Sequence, residues 1–353
     1  MVFYRKSGLL YKTTLIKKMP KLSVIIPVFN AESYLREAID SIIQQSFTDW
    51  ELIIINDGST DSSERIIADY TDPRIKYYKN EGNIGLIATL NKGIDLCKGE
   101  YIARMDADDI SETDRFKYQL AFFKKNKEYA MCGTYAKIID KNNQEIGKII
   151  NLQTNDYLQI NLLFSVPFLH PSMMIRGDVL RSNYFDPEYK HAEDYDLWCR
   201  ISDKYKVANI PDYLLKYRWH TTNTSVTNAD IQDNIKNKII CRELQNIGLQ
   251  PSEEELQLHK ITFQQFDSKT KITKQKFEDY FQLDSWFKKI IDANNIKQKY
   301  NKSSLIAFLW SRWIVLCISQ KKYSKICKPK FASYKLSILY KTFNLLLFLK
   351  KKA

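Results

Sequence analysis

The chain has 353 residues, 44% of them hydrophobic and 27% charged, which is enough for a folded core in one large domain with an appendage or in two domains. Lys and Arg outnumber Asp and Glu by 54 to 41, a formal net charge of +13, so we expect an anionic partner, and the sequence carries no nucleic-acid-binding signature. Six cysteines without CxxC spacing are predicted to be reduced, mostly core residues of a cytosolic protein with no zinc site.

Four short apolar runs near the start of the chain predict strands of a buried parallel sheet. They are Leu22–Val28, Trp50–Ile55, Arg74–Tyr78 and Tyr101–Met105. Apolar residues at helical spacing predict helices at Glu32–Gln45 and Ile84–Leu96, and Thr60 or Asp61 can cap a further helix between the second and third strands. Strands alternating with helices predict an α/β, Rossmann-like, doubly wound sheet, which binds ligands beyond the carboxyl ends of its strands.

The second half of the chain departs from this alternation. The predicted elements are strands at Met131–Ile139, Glu145–Ile150, Lys206–Ile210 and Tyr213–Tyr217, a loop entering a short strand at Pro167–Ile175, and a helix at Ala192–Ile201. From about Ile231 the sequence becomes helical and rich in Lys and Gln, so we place a boundary near Asn223–Asn228. The expected organisation is an N-terminal extension over residues 1–19, an α/β domain over 20–228 and a helical C-terminal region over 229–353.

The fourth predicted strand ends in three carboxylates within four residues, Asp106, Asp108 and Asp109. Like charges at that density repel one another unless a cation neutralises them. Mg²⁺ and Mn²⁺ prefer carboxylate oxygens and share them with substrate phosphates. The run therefore indicates a metal–diphosphate site, with a solvated acidic turn as the alternative. Asn30 and Asp57 also follow strand ends, so polar loops are expected to converge on one edge of the sheet.

Seven motifs in a fixed order resemble the family 2 glycosyltransferases, which are inverting enzymes with the GT-A fold. They are Pro27-Val28-Phe29-Asn30, Asn56–Asp61, Asn83-Ile84-Gly85 with Asn91-Lys92-Gly93, Asp106–Asp109, His170-Pro171-Ser172, Glu193-Asp194 and Tyr217–His220. The resemblance covers about Lys21 to Ser225. Each motif alone is weak, but their order and spacing are specific. The resemblance implies a nucleotide-sugar-binding domain of the GT-A type.

The resemblance also implies a site for the nucleotide of the donor. Asp57 matches the aspartate that hydrogen-bonds the pyrimidine ring, and Pro27 and Phe29 match the wall of that base pocket. Glu32 is expected to face the same pocket, and Asn83 matches the loop that passes near the ribose and the diphosphate. The alternative for Asp57 is an ordinary turn residue.

A reaction centre follows from the same resemblance. Asp106 and Asp108 match the family's DxD motif, with Asp108 as ligand of a Mn²⁺ or Mg²⁺ ion and Asp106 nearer the ribose. His220 matches a histidine that often completes the metal shell, and Asp194 matches the catalytic base. The alternatives are a surface histidine for His220 and a helix cap for Asp194.

Two positions depart from the family pattern. Phe29 stands where Tyr is frequent, so a hydroxyl contact is missing. Leu90 stands where Arg is frequent, and Arg104 or Arg218 is expected to supply that cation instead. His170-Pro171-Ser172 is expected to shape the acceptor side.

The C-terminal region resembles no family that we can name. Ser304–Ile318 is almost wholly apolar, but Arg312 interrupts it and it is shorter than the roughly 20 residues that span a bilayer. The segment from Lys328 to Lys352 mixes aromatic residues and leucines with flanking lysines, which is typical of a helix in the interface of an anionic leaflet. The alternative is an ordinary helical bundle packed on the α/β domain.

These features predict inverting, metal-dependent transfer of a hexosyl or N-acetylhexosaminyl unit from a nucleotide-sugar, with UDP as the nucleotide. The expected acceptor is a saccharide or a polyprenyl-linked oligosaccharide in surface polysaccharide biosynthesis. The enzyme is expected to be cytoplasmic and peripheral on the cytoplasmic face of the inner membrane. One alternative is a nucleotidyltransferase, which gives no reason for Glu193-Asp194. The other is a non-catalytic polysaccharide-assembly scaffold, in which loss of the metal carboxylates or the base would be expected.

Overall fold

A computed structural model describes residues 4–6, 9–11, 19–220, 229–264, 279–326, 329 and 336–352. Its strands are β1 (Tyr4–Lys6), β2 (Leu9–Tyr11), β3 (Leu22–Val28), β4 (Trp50–Asn56), β5 (Ile75–Lys79), β6 (Tyr101–Arg104), β7 (Ile110–Ser111), β8 (Tyr129–Ile139), β9 (Glu145–Ile149), β10 (Met174–Arg176) and β11 (Lys206–Arg218). Its α-helices are α1 (Leu35–Ile43), α2 (Ser63–Ala68), α3 (Leu86–Leu96), α4 (Arg115–Lys125), α5 (Asn155–Leu162), α6 (Gly177–Leu180), α7 (Glu193–Ser202), α8 (Ala229–Asn246), α9 (Glu253–Gln264), α10 (Tyr280–Lys297), α11 (Lys302–Ser319) and α12 (Leu336–Lys352). The predicted boundary near Asn223–Asn228 lies outside the described residues.

Nine strands form one mixed sheet, in the order β5-β4-β3-β6-β10-β8-β11-β7, with β9 paired to β8. Strands β3 to β6 are parallel to one another, so the predicted α/β fold is confirmed. Strand β10 runs antiparallel to both β6 and β8, and β11 is parallel to β8. The carboxyl ends of β3, β4, β6 and β11 therefore lie along the same edge of the sheet.

The central strands are buried on both faces, which explains why they read as continuous apolar runs. Ile25 of β3 packs in the core on one face of the sheet, while its neighbours Val24 and Ile26 pack in the core on the other face. This alternation follows from the two-residue period of a strand. Helices α1 and α4 cover one face, and α3, α5 and α7 cover the other.

The structure differs from the predicted elements at β11 and in elements that were not predicted, such as α4 and α5. Lys206–Ile210 and Tyr213–Tyr217 were expected as separate strands but belong to the single strand β11. The register between β11 and β8 shifts around Pro211 and Asp212, and such an irregularity accommodates a proline that cannot donate to the ladder. Helices α4 and α5 were not predicted, because their apolar residues are interleaved with polar ones that are buried only by tertiary contacts.

Helices α8 to α11 pack onto the sheet instead of standing apart from it. Ile239 of α8, Trp286 of α10 and Phe308 of α11 belong to the same buried cluster as Ile25 of β3. Within the parts of the chain that the structure describes, α11 alone is long and apolar enough to cross a bilayer, and 67% of its apolar window is buried inside the protein. Such burial is what a core helix shows, as the helical-bundle alternative predicts.

Candidate active site

The polar loops at the carboxyl ends of the strands are joined to one another by hydrogen bonds. Asn30, just after β3, accepts a bond on its Oδ1 from the backbone N–H of Thr60 at 2.9 Å. The backbone N–H of Arg218, at the end of β11, donates to Asp109 Oδ1 at 2.8 Å. The fold thus brings the loops after β3 and β4 together, and ties the loop after β6 to the end of β11.

Four side chains of this edge form a compact set of metal-ligand types. Asp106, Asp108 and Asp109 each offer a carboxylate oxygen within 4.8 Å of the others. His220 Nε2 lies 2.9 Å from Asp108 Oδ2, which brings the imidazole to the same cluster. Asp109 is fully buried, and its Oδ2 has no hydrogen-bond partner among the described residues. A buried oxygen without a donor needs another partner, and carboxylates with an imidazole suit Mn²⁺ or Mg²⁺.

The electrostatics of the cluster also favour a cation. Burial raises the pKa of Asp106, with the Asp108 charge adding to the effect and the Arg104 guanidinium opposing it. Burial, reinforced by the charges of Asp108 and Asp106, raises the pKa of Asp109 well above its usual value. Arg104, almost fully buried, forms an ion pair with Asp106. One guanidinium does not balance three carboxylates, so the residues present fit a bound divalent ion.

Arg218 does not fill the role of a phosphate-binding cation. Its guanidinium donates to the backbone oxygens of Asp108 at 2.8 Å and Asp140 at 3.0 Å, and to the Glu37 carboxylate at 2.7 Å. It also lies over the Tyr34 ring at 4.3 Å and is fully buried. Arg218 therefore braces the loop that carries Asp108. Of the two arginines expected to supply the positive charge that Leu90 lacks, only Arg104 is left as a candidate.

Glu193 and Asp194 begin helix α7 close to this cluster. Burial raises the pKa of Asp194, and it raises that of Glu193 to about 7, with the Asp194 charge adding to the shift. Asp194 Oδ1 accepts a hydrogen bond from the backbone N–H of Tyr195 at 2.8 Å. The Asp194 charge in turn raises the pKa of Asp106, which places the two carboxylates within electrostatic reach. A carboxylate with a raised pKa beside a reaction site suits a general base.

Asp57 ties together the two loops that the resemblance assigned to the nucleotide. It is 4% exposed. Its Oδ1 accepts from Asn80 Nδ2 at 2.8 Å and from the backbone N–H of Ile84 at 2.9 Å, and its Oδ2 accepts from the Gly85 N–H at 3.0 Å. Asn83 is exposed, and its Oδ1 accepts a second bond from the same N–H. Asp57 thus holds the shape of the loop from which Asn83 projects.

The other residues expected at the nucleotide pocket lie at the same edge. Phe29, just beyond β3, is 49% exposed, whereas Pro27 is partly buried. Glu32 Oε2 accepts from the backbone N–H of Ser62 at 2.9 Å, and the Glu32 N–H donates to Asp61 Oδ2 at 2.9 Å. Phe29 therefore presents an open aromatic face, while the Glu32 carboxylate contacts the backbone at the start of α2.

A sizeable cleft of the described structure lies elsewhere. It has a volume of about 710 Å³ and is lined by residues such as Lys21, Glu100 and Arg176. Lys21 and Glu100 precede β3 and β6, so this cleft is at the amino ends of the strands. The metal-ligand side chains and the carboxylates with raised pKa all lie at the opposite edge. The candidate active site is therefore at that edge and not in this cleft.

Two residues near the carboxylates received no individual role from the sequence. Asp109 was predicted only as a member of the acidic run, and the structure places its carboxylate in the cluster with Asp106 and Asp108. Tyr217 is the other: burial raises its pKa, and the charges of Asp109, Asp106 and Asp108 raise it further, which places its hydroxyl near the cluster. Its signal was membership of the Tyr217–His220 motif.

His170 lies near Arg104 and packs against aromatic rings. The backbone N–H of Arg104 donates a hydrogen bond to the backbone oxygen of Met173 at 3.0 Å. The segment that follows His170 therefore lies beside the end of β6. The His170 ring lies 5.6 Å from the Trp198 ring and 5.4 Å from the Phe185 ring. Burial, with the Arg104 charge adding, lowers the pKa of His170 well below its usual value, which favours the neutral imidazole.

Comparison with known proteins agrees with this geometry. The family model described as "Glycosyl transferase family 2" matches residues 23–182. An uncharacterized glycosyltransferase of Haemophilus influenzae is 35% identical over 236 residues, which cover 64% of this chain and 73% of the relative. Among solved structures, S. aureus TarS 1-349 in complex with UDP-GlcNAc aligns with a TM-score of 0.56 at 17% identity, over 89% of this chain and 93% of that one. The mannosyltransferase PcManGT from Pyrobaculum calidifontis, in complex with GDP-Man and Mn²⁺, aligns with a TM-score of 0.50 at 14% identity, over 93% and 88%.

Proposed function

The chain belongs to glycosyltransferase family 2 and has the GT-A fold, and on that premise we propose that it transfers a hexosyl or N-acetylhexosaminyl unit from a UDP-sugar with inversion and with the help of a divalent metal ion. The observation that carries the proposal is the cluster of Asp106, Asp108 and Asp109 within electrostatic reach of Asp194. A metal–diphosphate site beside a carboxylate of raised pKa suits single-step transfer to a hydroxyl, because the metal stabilises the leaving group and the carboxylate takes the proton.

We assign the metal ion, Mn²⁺ or Mg²⁺, to Asp108 and His220. When bound, such an ion offsets the negative charge that develops on the departing nucleoside diphosphate. Asp106 lies on the ribose side of the site in this assignment. Arg104 holds Asp106 in place through their ion pair, and it supplies the positive charge that Leu90 does not.

Asp194 acts as the general base. Its carboxylate takes the proton of the acceptor hydroxyl as that oxygen attacks the anomeric carbon, on the face opposite the diphosphate. The bond between the anomeric carbon and the diphosphate oxygen breaks, and its electron pair leaves with UDP. One displacement inverts the anomeric centre and requires no nucleophile from the protein.

The donor nucleotide lies against the ends of β3 and β4. Phe29 and Pro27 form the wall on which the base packs. The Asp57 carboxylate accepts three hydrogen bonds from its own loops, and its remaining lone pair accepts one from the ring N–H of the base. Asn83 faces the ribose and diphosphate. Glu32 borders the pocket, where it stabilises the start of α2.

The acceptor is a saccharide or a polyprenyl-linked oligosaccharide, and we propose that α12 holds the enzyme at the inner membrane on its cytoplasmic face. One face of α12 is buried through Ile338 and Leu345. The opposite face exposes apolar side chains, namely Leu339, Tyr340, Phe343 and Leu347. This exposed stripe, with lysines at the end of the helix, suits the interface of an anionic leaflet. In this proposal the α/β domain spans 20–228, and the helical C-terminal region 229–353 meets the membrane through α12.

A donor screen tests the proposal. UDP-GlcNAc and GDP-Man are incubated with the full chain and Mn²⁺ or Mg²⁺, and release of the nucleoside diphosphate is measured. We expect release of UDP that stops in excess chelator and in Asp108→Ala but persists in the exposed control Asp212→Ala. The anomeric configuration of the product is then read by NMR.

Three outcomes would contradict the proposal. Undiminished turnover in excess chelator would exclude the metal. Release of pyrophosphate from a nucleoside triphosphate and a sugar phosphate would favour the nucleotidyltransferase. Absence of any nucleotide release, with the donor bound, would favour a non-catalytic scaffold.

A further inference from the structure

Helix α8 contacts the polypeptide just before the Glu193–Asp194 pair. Gln232 Nε2 donates a hydrogen bond to the backbone oxygen of His191 at 2.8 Å. His191 has a φ of 75°, a left-handed conformation that residues other than glycine seldom adopt. A turn of this kind persists when its surroundings hold it in place, and the Gln232 amide is one such restraint.

The same helix contacts α7 just after the pair. Asp196 is completely buried and is ion-paired by Arg242 of α8 and by Arg200 of α7, the latter at 2.8 Å. Arg242 also lies over the Tyr189 ring at 5.2 Å. Helix α8 therefore contacts residues 189 and 191 before the pair and residue 196 after it.

A lysine of α8 sets the orientation of the first contact. Lys236 Nζ donates to Gln232 Oε1 at 2.8 Å, which leaves the Gln232 amide N–H directed at the His191 oxygen. The positive charge of Lys236 also lowers the pKa of Asp194, against the larger effect of burial. Lys236 is thus close to the Asp194 carboxylate.

We propose that α8 is the positioning element of the catalytic base: Gln232, oriented by Lys236, and Arg242 hold the backbone on both sides of Glu193–Asp194. The proposal rests on the assignment of Asp194 as the base. It gives the helical C-terminal region a part in catalysis, through residues that lie beyond the segment matched by the family model. None of the three is a catalytic residue, since each acts through the position of Asp194.

The test uses the full chain with UDP-GlcNAc and Mn²⁺. The variants are Gln232→Ala, Lys236→Ala and Arg242→Met, with the exposed positions Asn234→Ala and Lys238→Ala of the same helix as matched controls. Because a misplaced base slows the chemical step without weakening the donor, we expect kcat to fall about tenfold or more with KM for the donor changed less than about twofold. Arg242→Lys, which keeps the charge, should recover part of the lost kcat.

Hydrogen exchange supplies a readout that needs no turnover. Amides of residues 189–198 should exchange faster in Gln232→Ala and Arg242→Met than in the two controls, while amides of β3 and β4 should be unchanged. Unchanged exchange in residues 189–198 would overturn the proposal. The proposal would also be overturned if kcat of both Gln232→Ala and Arg242→Met stayed within about twofold of the wild type, or if KM for the donor rose as much as kcat fell.

Asp194→Asn separates this proposal from the one on which it rests. If Asp194→Asn keeps the wild-type kcat, the base assignment fails and the role of α8 fails with it. If Asp194→Asn is inactive while the α8 variants keep their kcat, the proposed function stands and only the role of α8 is refuted.

Discussion

We expect Glu193 to make the protein less stable as the pH rises, and replacing Glu193 should remove that effect. Its side chain is 7% exposed, and burial with the neighbouring Asp194 charge raises its pKa to about 7 from a reference value of 4.5. Between these two values the folded chain keeps a proton that the unfolded chain has lost, so the free energy of unfolding falls as the pH rises. The difference between the folded and unfolded pKa values corresponds to about 3 kcal/mol of unfolding free energy.

The variant Glu193→Gln stays neutral at every pH and should not show this loss. Relative to the wild type, we expect it to gain about 2–3 kcal/mol of unfolding free energy between pH 5 and pH 8. Urea unfolding of the metal-free protein in chelator measures the gain, because a bound cation would change the local charge. Glu188→Gln, at an exposed position five residues earlier, is the control. Identical pH profiles of stability for Glu193→Gln and the wild type would refute the reasoning.

Three further predictions address the base, the nucleotide and the membrane. Asp194→Asn should lower kcat by about two to four orders of magnitude and leave UDP affinity nearly intact by calorimetry; equal loss of binding would make the residue structural. Asp57→Ala should release the loop of residues 80–85 and raise KM for the donor more than it lowers kcat, and a collapsed kcat at unchanged KM would contradict this. Phe343→Ser with Leu347→Ser should weaken co-sedimentation with anionic vesicles while keeping the thermal midpoint, since both side chains are exposed; unchanged pelleting would make α12 a packing element only.

The strands and the acidic edge could be predicted because their signals are local. A strand buried on both faces, such as β3, must be apolar at successive positions, and the carboxylates that follow β6 are adjacent in the sequence. Elements that are buried only by contacts with distant parts of the chain were harder to predict from the sequence. The interior of β11 has a proline that suggested two strands, and only its pairing with β8 shows that the strand continues.

The sequence by itself determined the α/β fold, the family and the edge of the sheet at which the polar loops meet, because strand burial, chain alternation and motif order are written in short stretches. Only the tertiary structure decided which charged groups are free to act. Arg104 and Arg218 are the same residue type, but their contacts differ. The guanidinium of Arg218, at the end of β11, donates to three acceptors within the protein, whereas Arg104 is ion-paired with Asp106 of the acidic cluster. Likewise α8 contacts the residues on either side of the Glu193–Asp194 pair although they are distant in sequence: Gln232 and His191 are 41 positions apart, and Arg242 and Asp196 are 46 apart. Contacts of this kind depend on how helices pack over the sheet, and no local pattern encodes them.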